Sequence, residues 1–276
     1  MSIKYGYLGP VGTFTEAALQ KIASSDDQLI AYANVTAALD AVRKGDCQKA
    51  LVPIENSVEG VVARTLDELA IGQPLVITAE TTLPVSFSLM TLSNTNPAEI
   101  NSIATHPHAE SQCRSFIAKN YPNAQVIESS STAAAAKGLS KGDYDAAIAG
   151  SNAAKNYDLK IIAENIGDNT GAVTRFVLVE KPGNQPKATG KDRTSLAVFI
   201  ALDHAGALLE ILNEFAKHQV NLTFIQSRPT GSQLGHYHFI IDAEGHIEDK
   251  PISAALAGLK EICEDIRFLG SYPQAK

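Results

Sequence analysis

The chain has 276 residues, 45% of them hydrophobic and 19% charged, enough for one large or two modest domains with cores of their own. Its net charge of -7 argues against a phosphate-backbone partner, because non-specific nucleic-acid affinity is carried by Lys and Arg. The start, MSIKYGYLGP, has no apolar segment behind a basic head, and "LPVSFSLMTL" is too short and too polar to span a bilayer. Neither a secretion signal nor a membrane partner is therefore expected, and the cytoplasm is the expected location.

In chain order, "KYGYL" reads as a strand, and "TEAALQKIA" as a helix entered through the turn "GPVGTF". "ALVPI" is a strand that stops at the polar group Glu55-Asn56-Ser57, before the helical pattern of "VVARTLDELA". "SFSLMTL" and "SIATH" are strands, "AESQCRSFIAKNY" a helix and "AQVIES" a strand. "STAAAAKGL" is a helix opened by hydroxyls, "YDAAIAG" a strand, and "VTRFVLV" a strong β-run. Alternation of this kind predicts crossover connections and largely parallel sheets. Glu180–Arg193, with two prolines and two glycines, reads as a linker.

Beyond it, "TSLAVFIAL" alternates as a strand, with Leu202 its last apolar position. In "GALLEILNEFAKH", Leu208, Ile211, Leu212 and Phe215 fall at helical spacing. "NLTFIQS" and "GHYHFIID" are strands, "ISAALAGLKEICE" carries a helical stripe from Ile252 to Cys263, and "IRFLGSY" is a last strand. The order βαββαβ is that of a ferredoxin-like module.

Cys47, Cys113 and Cys263 are odd in number and far apart, which fits neither a disulfide framework nor a zinc site. His106/His108 and His236/His238 each place two rings together, but no third and fourth ligand accompanies either pair, so no metal is expected. Gly6, Gly9 and Gly12 do not fit a dinucleotide fingerprint, and no G-K-[ST] follows for a P-loop. The turn still leads to a helix start at Thr13 and Thr15, where capping and binding of a carboxylate fit equally well. Arg175, amid Val173, Phe176 and Val177, needs a counter-charge, either a ligand carboxylate or a protein acid such as Glu55. His106 stands at a strand end as a general acid or base, or as a hydrogen-bonded loop residue. Four strand-to-helix junctions rich in Ser, Thr, Asn and His together point to a polar cleft for a small anionic ligand.

The ordered set "GPVGTFTEAA", "VPIENSVEG", "THPHAESQC", "STAAAA" and "TRFVLV" resembles prephenate dehydratase, and "GALLEILNEFAKHQVNLTFIQSRP" with "YHFIIDAEGH" resembles its phenylalanine-binding ACT domain. No chorismate mutase segment precedes Ile3, as in the monofunctional form. The resemblance implies a two-subdomain, type II periplasmic-binding-protein-like catalytic domain over 1–182, a linker over 183–192 and a βαββαβ ACT domain over 193–276. It implies conversion of prephenate to phenylpyruvate, CO2 and water without a cofactor, in a homodimer or homotetramer regulated by L-phenylalanine. An arogenate-using dehydratase and a non-catalytic two-lobed sensor are the alternative readings.

By motif, Thr174 is the catalytic threonine, beside Arg175, with Glu55 the alternative proton donor. Thr13, Phe14, Asn56, Ser57, His106, Thr132 and Phe176 match substrate-cleft positions. Gly206, Ala207, Leu208, Leu209, Asn221, Leu222, Ser227, Arg228 and Pro229 match the effector site. Two positions depart from the family pattern: Ala172 where many relatives carry Asn, and Gln226 where Glu is common.

Overall fold

The computed structural model describes residues 2–200, 204–230 and 237–275. β1 (Lys4–Leu8) and β2 (Gln28–Tyr32) pair in parallel, with α1 (Phe14–Leu19) between them and α2 (Val35–Lys44) after them. β3 (Lys49–Asn56) turns into the short antiparallel β4 (Gly60–Val61), and α3 (Ala63–Ala70) and β5 (Val76–Pro84) follow. The predicted stop before Glu55 is corrected here, because pairing of Glu55 with Val61 and Asn56 with Gly60 carries β3 two residues further.

β6 (Ser88–Thr91), β7 (Ser102–Thr105), α4 (Pro107–Gln112), α5 (Arg114–Asn120) and β8 (Gln125–Glu128) come next. The single helix predicted from Ala109 to Tyr121 is two, because Cys113 sits at φ -121°, ψ 13° and breaks the ladder. α6 (Thr132–Leu139), β9 (Ala146–Ala149), α7 (Ser151–Asn156), β10 (Lys160–Ala163) and β11 (Val173–Glu180) complete this part. The first sheet runs β2-β1-β3-β11-β5 with β4 on β3, and the second runs β10-β6-β9-β7-β8. The expected parallel character holds for β7 with β8 and β9, whereas β6 pairs antiparallel to both β9 and β10.

The last part is β12 (Asp192–Ile200), α8 (Ala207–Lys217), β13 (Leu222–Pro229), β14 (Tyr237–Glu244), α9 (Lys250–Ile262) and β15 (Cys263–Pro273). Its sheet order, β13-β14-β12-β15, is that of the expected βαββαβ module. Leu202 and His236, named above in strands, lie outside the described residues. Cys263 opens β15 in extended conformation instead of extending the helical stripe.

Backbone contacts divide the chain into two units, one of 1–38, 51–61 and 82–176, the other of 39–50, 62–81 and 177–276. Within the first, Phe87, Leu89, Ile103, Cys113 and Ile148 are joined by Ala172 in one apolar cluster. Burial there pushes the Cys113 thiol up to about 12, so it behaves as a small apolar side chain. Within the second, Ile211 and Phe215 of α8 and Ile252, Ala255 and Leu259 of α9 pack on Leu196, Val198, Phe239 and Ile241. Full burial of each large side chain contributes roughly 1.5–3 kcal/mol, and this facing of two helical stripes onto alternating strand positions makes the module a layer of its own. Among the described residues no helix is long and apolar enough to cross a membrane.

Candidate active site and effector pocket

The β3–β4 turn is held onto the start of β11 by side chains. Ser57 N–H donates to the Val173 carbonyl and Val173 N–H donates back to Ser57 Oγ, both at 2.9 Å. Asn56 Nδ2 lies 2.8 Å from Thr174 Oγ1, and Asn56 Oδ1 accepts from the N–H groups of Val58 and Glu59. Gly60 closes the turn at φ +83°, a region that favours glycine. Arg175 is 8% exposed, and its Nη1 stands 3.9 Å from Glu55 Oε2. The Glu55 side chain is 39% exposed. Thr174, at 9% exposure, thus has its polar neighbour in Asn56, although the position two residues upstream is the buried Ala172.

The same turn reaches α4 through Glu59, which accepts from Gln112 Nε2 at 2.8 Å and lies 3.6 Å from His108 Nδ1. His106 is the N-cap of α4, its Nδ1 accepting from the His108 N–H at 3.3 Å. Burial first, then the neighbouring His108, holds the His106 ring below the ordinary histidine range. Its ring packs edge-on against His108, with centroids 4.8 Å apart.

The β1–α1 turn is built around a buried carboxylate. Glu16 accepts from Gly12 N–H at 2.6 Å, Tyr7 Oη at 3.1 Å and Asn156 Nδ2 at 3.3 Å. Burial and this carboxylate push the Tyr7 phenol upward, so it stays a donor. Gly12, at φ +90°, could carry no Cβ without crowding Tyr157 and Ala153. Thr13 caps α1 through Glu16 N–H and donates its own proton to the Leu8 carbonyl at 3.0 Å. Its hydroxyl is therefore engaged in the scaffold, the capping alternative of the sequence reading. Beside this turn a cavity of about 750 Å³ is lined by Pro10, Val11, Tyr32, Ser130, Lys137 and Tyr157. Ser131 caps α6 by accepting from Ala134 N–H, with half-buried Thr132 as the first helical residue. Phe14 packs edge-on to Phe87, and Phe176 is 1% exposed, so both rings contribute to packing.

In the βαββαβ module, Gly206, Ala207, Leu208, Leu209 and Ser227 line one cavity of about 360 Å³ with Tyr237 and Phe239 among the other walls. Gly206 opens α8 at φ +98° with nothing near its missing Cβ, so conformation, not space, selects glycine there. Asn221, Leu222, Arg228 and Pro229 do not line that cavity. Leu222 packs on the module core, and Arg228 grips Asp67 of α3 with Nε and Nη2, each at 2.8 Å from a carboxylate oxygen. Gln226 donates to the Ser227 carbonyl at 3.0 Å.

Residues 5–184 match the family model described as prephenate dehydratase, and residues 194–261 match that of the ACT domain. The chain belongs to the prephenate dehydratase family. Prephenate dehydratase of Amycolatopsis methanolica is 45% identical over 273 residues, covering 99% of this chain and 89% of that protein. The crystal structure of prephenate dehydratase from Arthrobacter aurescens in complex with L-Phe superposes with a TM-score of 0.93 at 48% identity, covering 98% of this chain and 90% of that one. A structure described as a novel type of quorum-quenching acylase, 27% identical, superposes with a TM-score of 0.86 over 98% of both chains. The two α/β sheets are accordingly those of a periplasmic-binding-protein-like dehydratase, a lyase, and the third is its ACT domain.

Within this chain, Glu16, Glu59, Gln112, Asn152 and Tyr157 were not legible as site-building residues. Asn152 and Tyr157 hold the β1–α1 turn through the carbonyls of Thr13 and Val11, which only backbone proximity reveals. Glu59 and Gln112 do lie inside "VPIENSVEG" and "THPHAESQC", and Thr13-x-x-Glu16 has the spacing of a capping box.

Proposed function

We propose that Thr174 and Arg175 carry the dehydratase chemistry, on substrate held by the turn of Asn56 and Ser57 and the helix starts at Thr13, His106 and Thr132. The observation that carries this reading is the Asn56–Thr174 hydrogen bond beside the Arg175–Glu55 pair in a chain of this family. Prephenate is a dianion whose ring hydroxyl lies para to the carbon that loses CO2. The C–C bond to that carboxylate breaks, its electron pair completes the aromatic ring, and the ring C–O bond breaks with its pair on oxygen. One hydroxide, protonated to water, and one CO2 leave phenylpyruvate behind.

The barrier is departure of hydroxide, which a positioned proton donor accelerates by ~10²–10⁴-fold. A threonine hydroxyl is too weak an acid to be the ultimate proton source at neutral pH. Thr174 donates a hydrogen bond to the departing oxygen, and Arg175 positions a substrate carboxylate bidentately. Preorganised stabilisation of this kind is worth about 3–4 kcal/mol. Glu55 is the other candidate donor, and undiminished turnover in Glu55→Gln removes it. Phe14 and Phe176 shape the cleft from beneath.

The catalytic domain spans 1–182, the linker 183–192 and the ACT domain 193–276. L-phenylalanine binds at Gly206, Ala207, Leu208, Leu209 and Ser227, a reading supported by the cavity they line and by the L-Phe complex of the Arthrobacter relative. The protein works in the cytoplasm as a homodimer or homotetramer, with the exposed Leu209, Ile225 and Tyr237 of the ACT domain at the subunit interface. The acylase activity of the more distant structure is not carried over, because the relatives at 45–48% identity are dehydratases.

The test is phenylpyruvate formation from prephenate by the purified protein, with and without L-phenylalanine, with arogenate in parallel. Turnover on prephenate that falls with L-phenylalanine supports both halves of the reading. Turnover only on arogenate replaces the substrate, and turnover on neither, from folded protein, overturns the assignment.

A further inference from the structure

The side-chain amide of Asn56 has only one workable orientation. Its Oδ1 accepts from the backbone N–H groups of Val58 at 2.8 Å and Glu59 at 2.9 Å. Turning the amide over would set an NH2 group against two N–H donors, a donor–donor conflict at both. Nδ2 therefore faces Thr174 Oγ1, 2.8 Å away, and an amide nitrogen can only donate. The Thr174 oxygen is thus the acceptor in this pair, and its single proton is turned away from Asn56.

Two other threonines of the same unit show the contrast. Thr13 gives its proton to the Leu8 carbonyl at 3.0 Å, and Thr105 gives its proton to the Ile148 carbonyl at 2.8 Å. Thr174 has no such backbone acceptor among the described residues.

We propose that Asn56 is a positioning residue: by donating to Thr174 Oγ1, it obliges the Thr174 hydroxyl to donate to whatever occupies the cleft. Resting on the reading that Thr174 serves the departing oxygen, this gives the hydroxyl its polarity before substrate arrives. Acceptance from Asn56 also polarises the hydroxyl, since hydrogen bonds in a chain strengthen one another. Ser57 supports the arrangement by clamping the backbone of Val173, the residue before Thr174.

The test is a double-mutant cycle of Asn56→Asp with Thr174→Val, read in kcat and KM across pH. An aspartate keeps oxygen acceptors for the Val58 and Glu59 N–H groups but replaces the donor by a second acceptor, which captures the Thr174 proton. At neutral to alkaline pH, Asn56→Asp is expected to lower kcat by about 100-fold, the scale of losing one preorganised donor. Its kcat should recover as the pH falls and the new carboxyl takes up a proton, because a carboxylic acid can donate. In the Thr174→Val background the same change should cost less than about threefold, as residues acting as one unit are non-additive. Simple repulsion between the new charge and the dianionic substrate would instead raise KM and persist in that background.

Wild-type kcat in Asn56→Asp, or an equal loss in both backgrounds, overturns the inference while leaving Thr174 in its role. Wild-type kcat in Thr174→Val overturns the underlying reading and the inference with it. If Asn56→Asp does not fold, Asn56→Ala runs the same cycle, with a smaller kcat loss expected in the Thr background and one below about threefold in the Val background.

Discussion

Two polar clusters of this protein are built on opposite plans. At the ends of β3 and β11, Asn56, Ser57 and Thr174 form short, neutral, directional bonds, and the Thr174 hydroxyl keeps one valence free. Where the ACT sheet meets α3 and β5, the groups are mostly charged and closed on one another. Arg228 is bidentate with Asp67, Arg43 bridges Asp40 and Glu68, and Arg193 lies within 3.5 Å of both Glu80 and Asp242. Arg267 adds a bond of 2.6 Å to the Gly72 carbonyl. A cluster that holds a shape gains from satisfying every charge. A cluster that acts on a ligand has to leave part of its capacity unmet until the ligand arrives.

A ring with both nitrogens unmet in the second cluster is that of His238. It is 0% exposed, stacks on Phe199 with centroids 5.0 Å apart, and has no hydrogen-bond partner at either ring nitrogen among the described residues. Burial holds the ring below the ordinary histidine range, with Arg228 adding to this and Asp67 opposing it.

The sharpest way to break the comparison is Thr174→Ala, expected to lower kcat by about 10²–10³-fold with KM within about threefold. A change confined to KM in steady-state assays would leave Thr174 as a binding residue. Arg175→Lys should act mainly on KM, raising it about 10-fold or more, because an ammonium does not reproduce a bidentate grip. An unchanged KM for prephenate would return Arg175 to internal pairing with Glu55.

On the other side, Asp67→Asn should cost about 1 kcal/mol, since the pair is ideal in geometry but only partly buried. Urea unfolding of Asp67→Asn, Arg228→Ala and their combination gives the coupling, and a coupling of zero removes this pair from the closed cluster. Turnover without effector should stay within about twofold, while the L-phenylalanine concentration for half-inhibition shifts.

The smallest effect is expected at His238. Because its folded-state pKa is depressed, the unfolded chain takes up a proton first as the pH falls. The stability tied to neutral His238 is therefore complete above about pH 6.5, the ordinary histidine value. It is lost as pH drops below that value and through the depressed one. His238→Leu should flatten this part of the stability–pH curve. His106 is shifted in the same direction and leaves a residual slope. An identical curve for His238→Leu would show that burial of this ring is not felt energetically.

Much of the architecture was legible because it is local. The apolar stripe of α8 and the alternation in β12 need only neighbours in sequence to declare themselves, and they imposed the βαββαβ order. Of the elements passed over, β2, β4, α7 and β10 are short, two to six residues, whereas α2 with ten residues and β5 with nine are not, and no weakness of pattern accounts for α2. Cys113 looked helical because nothing in its side chain announces a break at φ -121°. The motifs also pointed to Asn56, Thr174 and Arg175 individually, because a polar residue inside an apolar run needs a reason.

What the sequence by itself determined is thus the family, the domain order and the residue types available for chemistry. Which of those residues meet was decided only by tertiary structure. Asn56 and Thr174 are 118 positions apart, and Arg228 and Asp67 are 161 apart. A hydrogen bond depends on ångström distances and on which atom faces which, and no periodicity in a chain encodes that. The same limit explains Thr13 and Phe176, which match cleft motifs yet have their polar or apolar surface engaged in the scaffold. Residue type sets what a side chain can do, and packing around it selects which of those capacities remains open.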